Sequence, residues 1–434
     1  MPHDAPLPPA DAGVAADAAA PIAGARPARQ AALIFIFITV TIDTIAMGIM
    51  APVLPTLIER LTGGVQQAGW MNGLFMTVFA VMQFLFSPVL GALSDRFGRR
   101  PILLLSIAGL GLSYAAMGMA TSVWQLLVIR LFTGATSANI ATAFAYIADV
   151  TPTDRRAGAY GLMQAGMSMG FAIGPGVAGL LVGIDPTFPF WAAAALSLVN
   201  AVYGFFVVPE SLPKARRATL QLGKLGYFRA VSILTSKPGL LRMSLVLALA
   251  QFATMVFPTV FVLYAEHRYS WTIATVSLCL TAFGLCSAAV QAGVSGRMVR
   301  AFGESKVIRI GLLCGVAGTA VFGLAPIGVL FMVGIPIMTL SGICGPAIQS
   351  LMTRQVAPSE QGRLQGANTS LQAIAGIVAP MLFSGVFYFT VGGWHGINTM
   401  GAAFLLASAT LATAAIMATQ GSARLQGAMI GSQN

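Results

Sequence analysis

Charge is what this sequence has least of. Only 9% of its 434 residues are charged, while 57% are hydrophobic and the mean hydropathy is +0.82. An average soluble domain carries roughly 25% charged residues. A soluble enzyme of this length needs a charged surface around its core, so that class is excluded. A porin-type barrel is excluded too, because its strands alternate lipid-facing apolar residues with polar lumen residues. Acidic residues are the scarcer sign, with 13 Asp+Glu against 24 Lys+Arg and a formal net charge of +11. Such an excess suggests nucleic acid when it forms a patch, and here it is spread over many short loops. Histidine is nearly absent: His3, His267 and His395 are the only three. The four cysteines, Cys279, Cys286, Cys314 and Cys344, fall in apolar runs with no CxxC pair and read as small apolar residues. No metal cluster, histidine relay, nucleophile–base pair or phosphate loop is visible, so neither enzyme chemistry nor a cofactor is expected.

What is present is length without charge. A spanning helix needs about 20 mostly apolar residues, because the bilayer core satisfies no backbone hydrogen bonds. Twelve such stretches are expected, at 31–58, 70–93, 101–120, 123–149, 158–183 and 188–208, then 241–265, 271–294, 307–326, 328–352, 365–390 and 396–419. The fold class is therefore all-α integral membrane. Residues 1–30 are Ala/Pro/Asp-rich without an apolar run and read as a disordered cytoplasmic tail. The expected organisation is a six-helix bundle at 31–209, a basic cytoplasmic linker at 210–240, a second bundle at 241–419 and a cytoplasmic tail at 420–434. All but three of the 24 basic residues fall in the tails or in even-to-odd loops; Arg60, Arg130 and Arg268 are the exceptions. The positive-inside rule then places both termini in the cytoplasm. The positive charge is a topology signal and needs no nucleic-acid partner.

The two halves match each other at an offset of about 205 residues: Gly91 with Gly296, Phe97 with Phe302, Gly98 with Gly303, Gly161 with Gly366 and Pro175 with Pro380. A parallel repeat of six and six spans with a basic linker is the organisation of major facilitator transporters, whose substrate site lies between the halves near the bilayer midplane.

Three motifs carry chemistry. The first is Gly91-Ala-Leu-Ser-Asp95-Arg96-Phe97-Gly98-Arg99-Arg100-Pro101, read as a tight loop between spans 2 and 3. Asp95 sits at the C-terminal end of a helix, where the macrodipole disfavours an anion, so it should pair with Arg99. The second-half copy has Arg300 where the first has Asp95, so only the first-half clamp reads as complete. The second motif is Gly166, Gly170, Gly174-Pro175 and Gly179 in span 5, with Ala178 at one usual glycine. Glycines four apart let another helix approach closely. The third feature is the pair of ionisable groups deep in spans, Asp43 and Arg130. An unpaired carboxylate there is expensive and should face a cavity or take up a proton. Both are assigned to proton coupling. Asp149 is read as structural, and Asp154 and Glu360 as gate or cap residues. Gln83, Tyr114, Asn139, Gln164, Gln251 and Gln372 are the substrate-cavity candidates.

The first motif is the major-facilitator loop signature almost residue for residue, and Arg130-x3-Gly134 falls on that family's span 4 signature. The span 5 motif resembles that of antiporters. Ile42-Asp43 through Pro52-Val53-Leu54-Pro55, Tyr146-Ile147-Ala148-Asp149, and Gly345-Pro346 through Arg354 with Glu360-Gln361-Gly362-Arg363-Leu364-Gln365-Gly366 resemble the tetracycline-resistance branch of the drug:proton antiporters. The resemblance implies a proton-driven exporter of amphipathic small molecules in the bacterial inner membrane. It would work as a monomer, with protons and substrate as its partners. Gly91, Asp95, Arg96, Gly98, Arg99 and Arg100 would clamp the cytoplasmic gate. The chain departs from that branch where acidic residues are expected in spans 3 and 9, having Ser113 and Ala317, and has Ser287 at a histidine position of span 8. Tetracycline itself is therefore doubtful as a substrate. The alternatives are a facilitator or proton symporter for a metabolite and, less favoured, a receptor on the same fold.

Overall fold

The computed structural model describes residues 25–137, 139–152, 155–213, 217, 231–236, 239–357, 360–391 and 399–431. Twelve of its helices are long and apolar enough to cross a membrane. In the first half they are α1 (Leu33–Thr62), α2 (Val65–Phe97), α3 (Arg99–Gly118), α4 (Val123–Val150), α5 (Gly158–Val182) and α6 (Phe188–Val207). In the second half they are α7 (Leu240–Tyr269), α8 (Ile273–Phe302), α9 (Glu304–Leu324), α10 (Gly328–Thr353), α11 (Gln361–Thr390) and α12 (Ala402–Thr419). Each expected span is found. The expected sites at His3, Asp154, Pro358 and His395, residues 1–24 of the tail and most of the linker lie outside the described residues. Helix runs from Ala25 into α1 and continues beyond α12 to Gly431.

The repeat is a repeat of packing. In the first half α1 packs on α5 and α6, α2 on α4, and α3 on α4 and α6; in the second α7 packs on α11 and α12, α8 on α10, and α9 on α10 and α12. The two main seams between the halves, α2 with α11 and α5 with α8, exchange under the same shift of six helices. Parallel repeats of this kind are related by an axis along the membrane normal.

The stretch read as a loop between spans 2 and 3 is mostly helix. α2 runs through Phe97, and the turn is confined to Gly98 at φ 111°. Gly303 repeats the device between α8 and α9 at φ 76°. One residue in the left-handed region reverses the chain, which glycine does without the Cβ clash. The charged segment from Asp95 to Arg100 is polar enough to leave the bilayer while still helical, which is why hydropathy ended these spans early.

Several spans are broken. α4 is two pieces, Val123–Thr136 and Asn139–Val150, and α8 contains a π-helical turn at Val290–Val294. Such interruptions are tolerated at membrane depth where neighbouring helices or a cavity re-satisfy the backbone, and they mark functional positions. The second half has an aromatic core in which Phe257, Phe322, Phe331 and Phe404 are in mutual ring contact or joined through one another.

Candidate functional site

The α5 glycines set how close the helices come. A Cβ on Gly174 would lie 2.6 Å from the Cα of Gly48, one on Gly170 2.1 Å from Thr44 Oγ1, and one on Gly166 2.6 Å from Thr41 Oγ1. These three therefore seat α5 on α1. Gly179 faces the other way: its Cβ would lie 2.8 Å from Ser277 of α8. The motif thus serves both the first half and the seam, with Pro175 buried inside the helix. On α1, Thr41 and Thr44 satisfy the hydroxyls that face these glycines by turning them back onto the carbonyls of Phe37 and Val40 at 2.8 and 2.9 Å.

That packing buries Asp43, which is 2% exposed. The Asn139 side-chain amide donates to Asp43 Oδ2, while Oδ1 is buried with no hydrogen-bond partner. Asn139 begins the second piece of α4, and Gln83 of α2 approaches the break, donating to the Ser137 carbonyl at 3.5 Å and hydroxyl at 3.4 Å. A carboxylate with one donor in an apolar span is under-satisfied, since buried acceptors are normally filled. No salt bridge joins Arg130 to Asp43 among the described residues. The Arg130 guanidinium lies 5.5 Å from the Phe79 ring centroid, with its Nε buried and unpartnered. Tyr114 of α3, 4% exposed, is within electrostatic reach of both charges. Asn139, expected as a cavity residue, is the hydrogen-bond partner of Asp43, and Tyr114, also expected there, is buried near both charges.

Three of the remaining cavity candidates do meet. Gln83, Gln251 and Gln372 line one cavity of about 430 Å³ between α2, α7 and α11, together with Ser87, Thr369 and Ser370. Among the described residues, no charged side chain lines it. Gln164 is exposed on α5 and is not among its lining residues. Of the departures from the tetracycline branch, Ser113 is buried and bonds back to the Gly109 carbonyl at 2.8 Å, Ser287 accepts from Gln291 at 3.1 Å, and Ala317 is exposed on α9.

Among the described residues, the close approaches between the halves gather at one end. Away from the termini, a Cβ on Gly69 would meet the Phe387 ring at 2.5 Å and one on Gly73 the Ser384 hydroxyl at 2.1 Å. There Asn72 donates to the Thr259 carbonyl at 2.7 Å and Gln66 to the Tyr388 carbonyl at 3.0 Å. At the end bearing the termini, Gly91, Gly161, Gly296 and Gly362, on the four seam helices, have open space beside them.

That open end carries the charged motif. Arg99 bonds Asp95 at 2.6 Å, Asp149 at 3.0 Å and the Ser94 hydroxyl at 2.8 Å, and its backbone N–H donates to Glu210 at 2.9 Å. Arg100 donates to the Phe205 carbonyl and covers its ring, and Arg96 covers Phe97. Asp149, read as structural, is thus a full partner of Arg99, and Glu210 belongs to the same cluster. A Cβ on Gly98 would fall 2.1 Å from Glu210, so that position needs glycine for space as well as for φ.

The second half keeps one contact of the clamp. Glu304 pairs with Arg354 at 2.7 Å and accepts from the Ser350 hydroxyl at 3.4 Å. At the repeat offset, Glu304 stands where Arg99 does, Arg354 where Asp149 does, and Arg300 where Asp95 does. The Arg99–Asp149 pair between α3 and α4 thus recurs between α9 and α10 with both signs reversed, whereas among the described residues no ion pair joins Arg300 to Glu304 as Asp95 joins Arg99. A polar network also ties the second half: Ser244 bonds Asn368 at 2.6 Å, Asn368 donates to Gln349 at 3.3 Å, and Gln349 to Gln365.

The family model of the Major Facilitator Superfamily matches residues 36–380 and 243–430. The chain is 35% identical over 384 residues to the class C tetracycline resistance protein of Escherichia coli, covering 86% of this chain and 94% of that one. It is 26% identical over 342 residues to multidrug resistance protein 1 of Bacillus subtilis, covering 78% and 85%. Among solved structures, the human organic anion transporter MFSD10 (TETRAN) superposes with a TM-score of 0.68 at 22% identity, over 90% of this chain and all of that one. Twelve spans in two equivalent sixes, an ion pair at the same place in each half and a polar cavity between the halves agree with these matches: the chain is a multi-pass membrane protein belonging to the major facilitator superfamily, a family of carriers rather than enzymes.

Proposed function

We propose that the chain is a proton-coupled exporter of amphipathic small molecules that works by alternating access. The observation that carries this is Asp43: a carboxyl buried in α1, held by one amide from the break in α4, with one oxygen unpartnered. Such a group is stable in the membrane either neutral or paired, and no cation pairs with it among the described residues. It is placed to hold the transported proton, with Tyr114 and Arg130 sensing its charge. The relatives named for tetracycline and multidrug resistance support the export direction. Positive charge at the open end supports a cytoplasmic position for that end and for both termini, in the bacterial inner membrane. The cavity would then load substrate from the cytoplasm, working in a single chain and needing no cofactor beyond the proton gradient.

The cavity's amides and hydroxyls, without a carboxylate, favour neutral or weakly charged substrates with both apolar surface and hydrogen-bonding groups. A cationic metal chelate finds no countercharge there. The deciding experiment is transport into inverted vesicles under an imposed pH gradient, using a panel of amphipathic drugs. Wild-type protein should accumulate at least one compound inside the vesicles. Asp43→Asn should abolish the gradient-driven part, by about 10-fold or more, while the protein remains in the membrane. Undiminished gradient-driven uptake by that variant would remove Asp43 from coupling.

A further inference from the structure

The closed end of the seam holds a group of ionisable side chains that the transport reading does not use. Near the outer end of α7, Glu266 is partly buried against α1, and the Thr56 hydroxyl donates to its Oε1 at 3.1 Å. One residue on, His267 meets Glu59 of α1 at 2.7 Å. Both contacts cross between the halves, and both exist only while this end is shut.

The charges facing Glu266 are Glu59 and Arg60 from α1 and His267 from its own helix. Arg268, on the next position, donates to the Ala325 carbonyl at 3.1 Å and lies over the Tyr264 and Tyr269 rings. Asp185, between α5 and α6, accepts from the Thr187 hydroxyl and backbone N–H at 2.6 and 2.7 Å. Those bonds hold its carboxyl below the usual range, so it stays charged and serves as a fixed anion near Arg60. Glu266 thus has a neutral hydroxyl as its hydrogen-bond donor and a second carboxylate nearby. Closing this end brings Glu266 and Glu59 toward each other and strips water from Glu266, a situation in which two ionised carboxylates repel.

We propose that Glu266 is a second proton-binding site, a gating site distinct from the one that couples transport. A proton from the outer solution adds to the Glu266 carboxylate as the outer end closes. The neutral carboxyl no longer repels Glu59 and can exchange hydrogen bonds with Thr56. On reopening, the proton returns to the same solution, so the step adds nothing to the transport stoichiometry. By linkage, acid then favours the closed outer end. In an exporter working against an acidic exterior, this resets the empty carrier toward the cytoplasm. The direction of that reset rests on the export reading, whereas the gating site does not.

The test reads conformation without transport. The four native cysteines are replaced, and nitroxide labels are placed at Ile184→Cys and Ile327→Cys, exposed positions at this end on opposite halves. Inter-label distances are measured in lipid nanodiscs from pH 8 to pH 5. The parent should shift toward the short distance as pH falls, its closed-to-open ratio rising about 5-fold or more. Glu266→Gln should flatten the response and hold the short distance at pH 8. Thr56→Val, a milder change, should reduce the response. Asp43→Asn should leave it in place while abolishing gradient-driven transport, which separates this proposal from the coupling one. An unchanged pH response in Glu266→Gln, or one lost in Asp43→Asn alone, overturns it. So does a response lost only in Glu59→Gln, which would place the proton on the Glu59–His267 pair.

Discussion

At the residue scale, Asp43 shows what a sequence can and cannot show. Its presence as a lone acid in an apolar run announces a special group, because the bilayer penalises it wherever it points. Asn139 was visible too, as a polar residue in span 4, but nothing in the chain says that the two touch. That contact depends on the register of α4 against α1 and on the break before Asn139. The pairing predicts a specific outcome. Asn139→Ala removes the one donor to Asp43, a loss of about 1–3 kcal/mol for a buried polar group left unsatisfied. Gradient-driven export should fall several-fold and its pH profile should move, as measured in vesicles beside a thermal melt. A variant that melts earlier but keeps the wild-type pH profile would make Asn139 a packing residue alone. Arg99 was legible with Asp95, four residues away and one turn apart. Asp149 and Glu210 were not, because each reaches Arg99 only through the packing of α4 and α6 on α3.

At the scale of elements, the apolar runs located all twelve spans, and their ends were the weak point. α2 and α8 outrun their hydrophobic stretches because helices continue into water when a charged turn suits them and only glycine stops them. The α5 glycines were legible as a packing face, but which helix they face is a property of the fold. Gly174 rests against backbone atoms of Ile45 and Gly48, which cannot step aside. Gly174→Ala should therefore destabilise the folded protein by about 1–3 kcal/mol, the usual range for overpacking, read as a lower melting temperature in detergent. Gly161→Ala, with open space beside it, should melt as wild type does. If the two variants melt alike, close approach of α5 to α1 is not what the glycine serves.

At the scale of the whole molecule, the repeat was legible as matched glycines and prolines, while the electrostatic half of it was hidden. Sequence comparison scores Arg99 against Glu304 as a mismatch. The fold shows the same contact with reversed polarity, since Arg354 has also changed sign to match. The two signs should therefore be exchangeable as a unit. Glu304→Arg or Arg354→Glu alone places like charges together, and the double exchange restores an ion pair. The pair is partly exposed, so the stability difference should stay within about 1 kcal/mol. The clearer readout is transport, reduced in each single variant and recovered in the double one. Failure of the double variant to recover would show that the polarity itself matters in the second half.

The extension of α2 past its hydrophobic stretch has a mechanical meaning. With 33 residues and a rise of about 1.5 Å per residue, this helix is a rod of about 50 Å, with arms of about 25 Å on either side of its centre. If the proposed alternating access is a rocking of about 20° about that centre, each tip moves by roughly 9 Å, enough to admit a small molecule at one end while sealing the other. Ending the rod at Gly91 instead of Phe97 would shorten the inner arm by about 9 Å, reducing the stroke by a third for the same rotation.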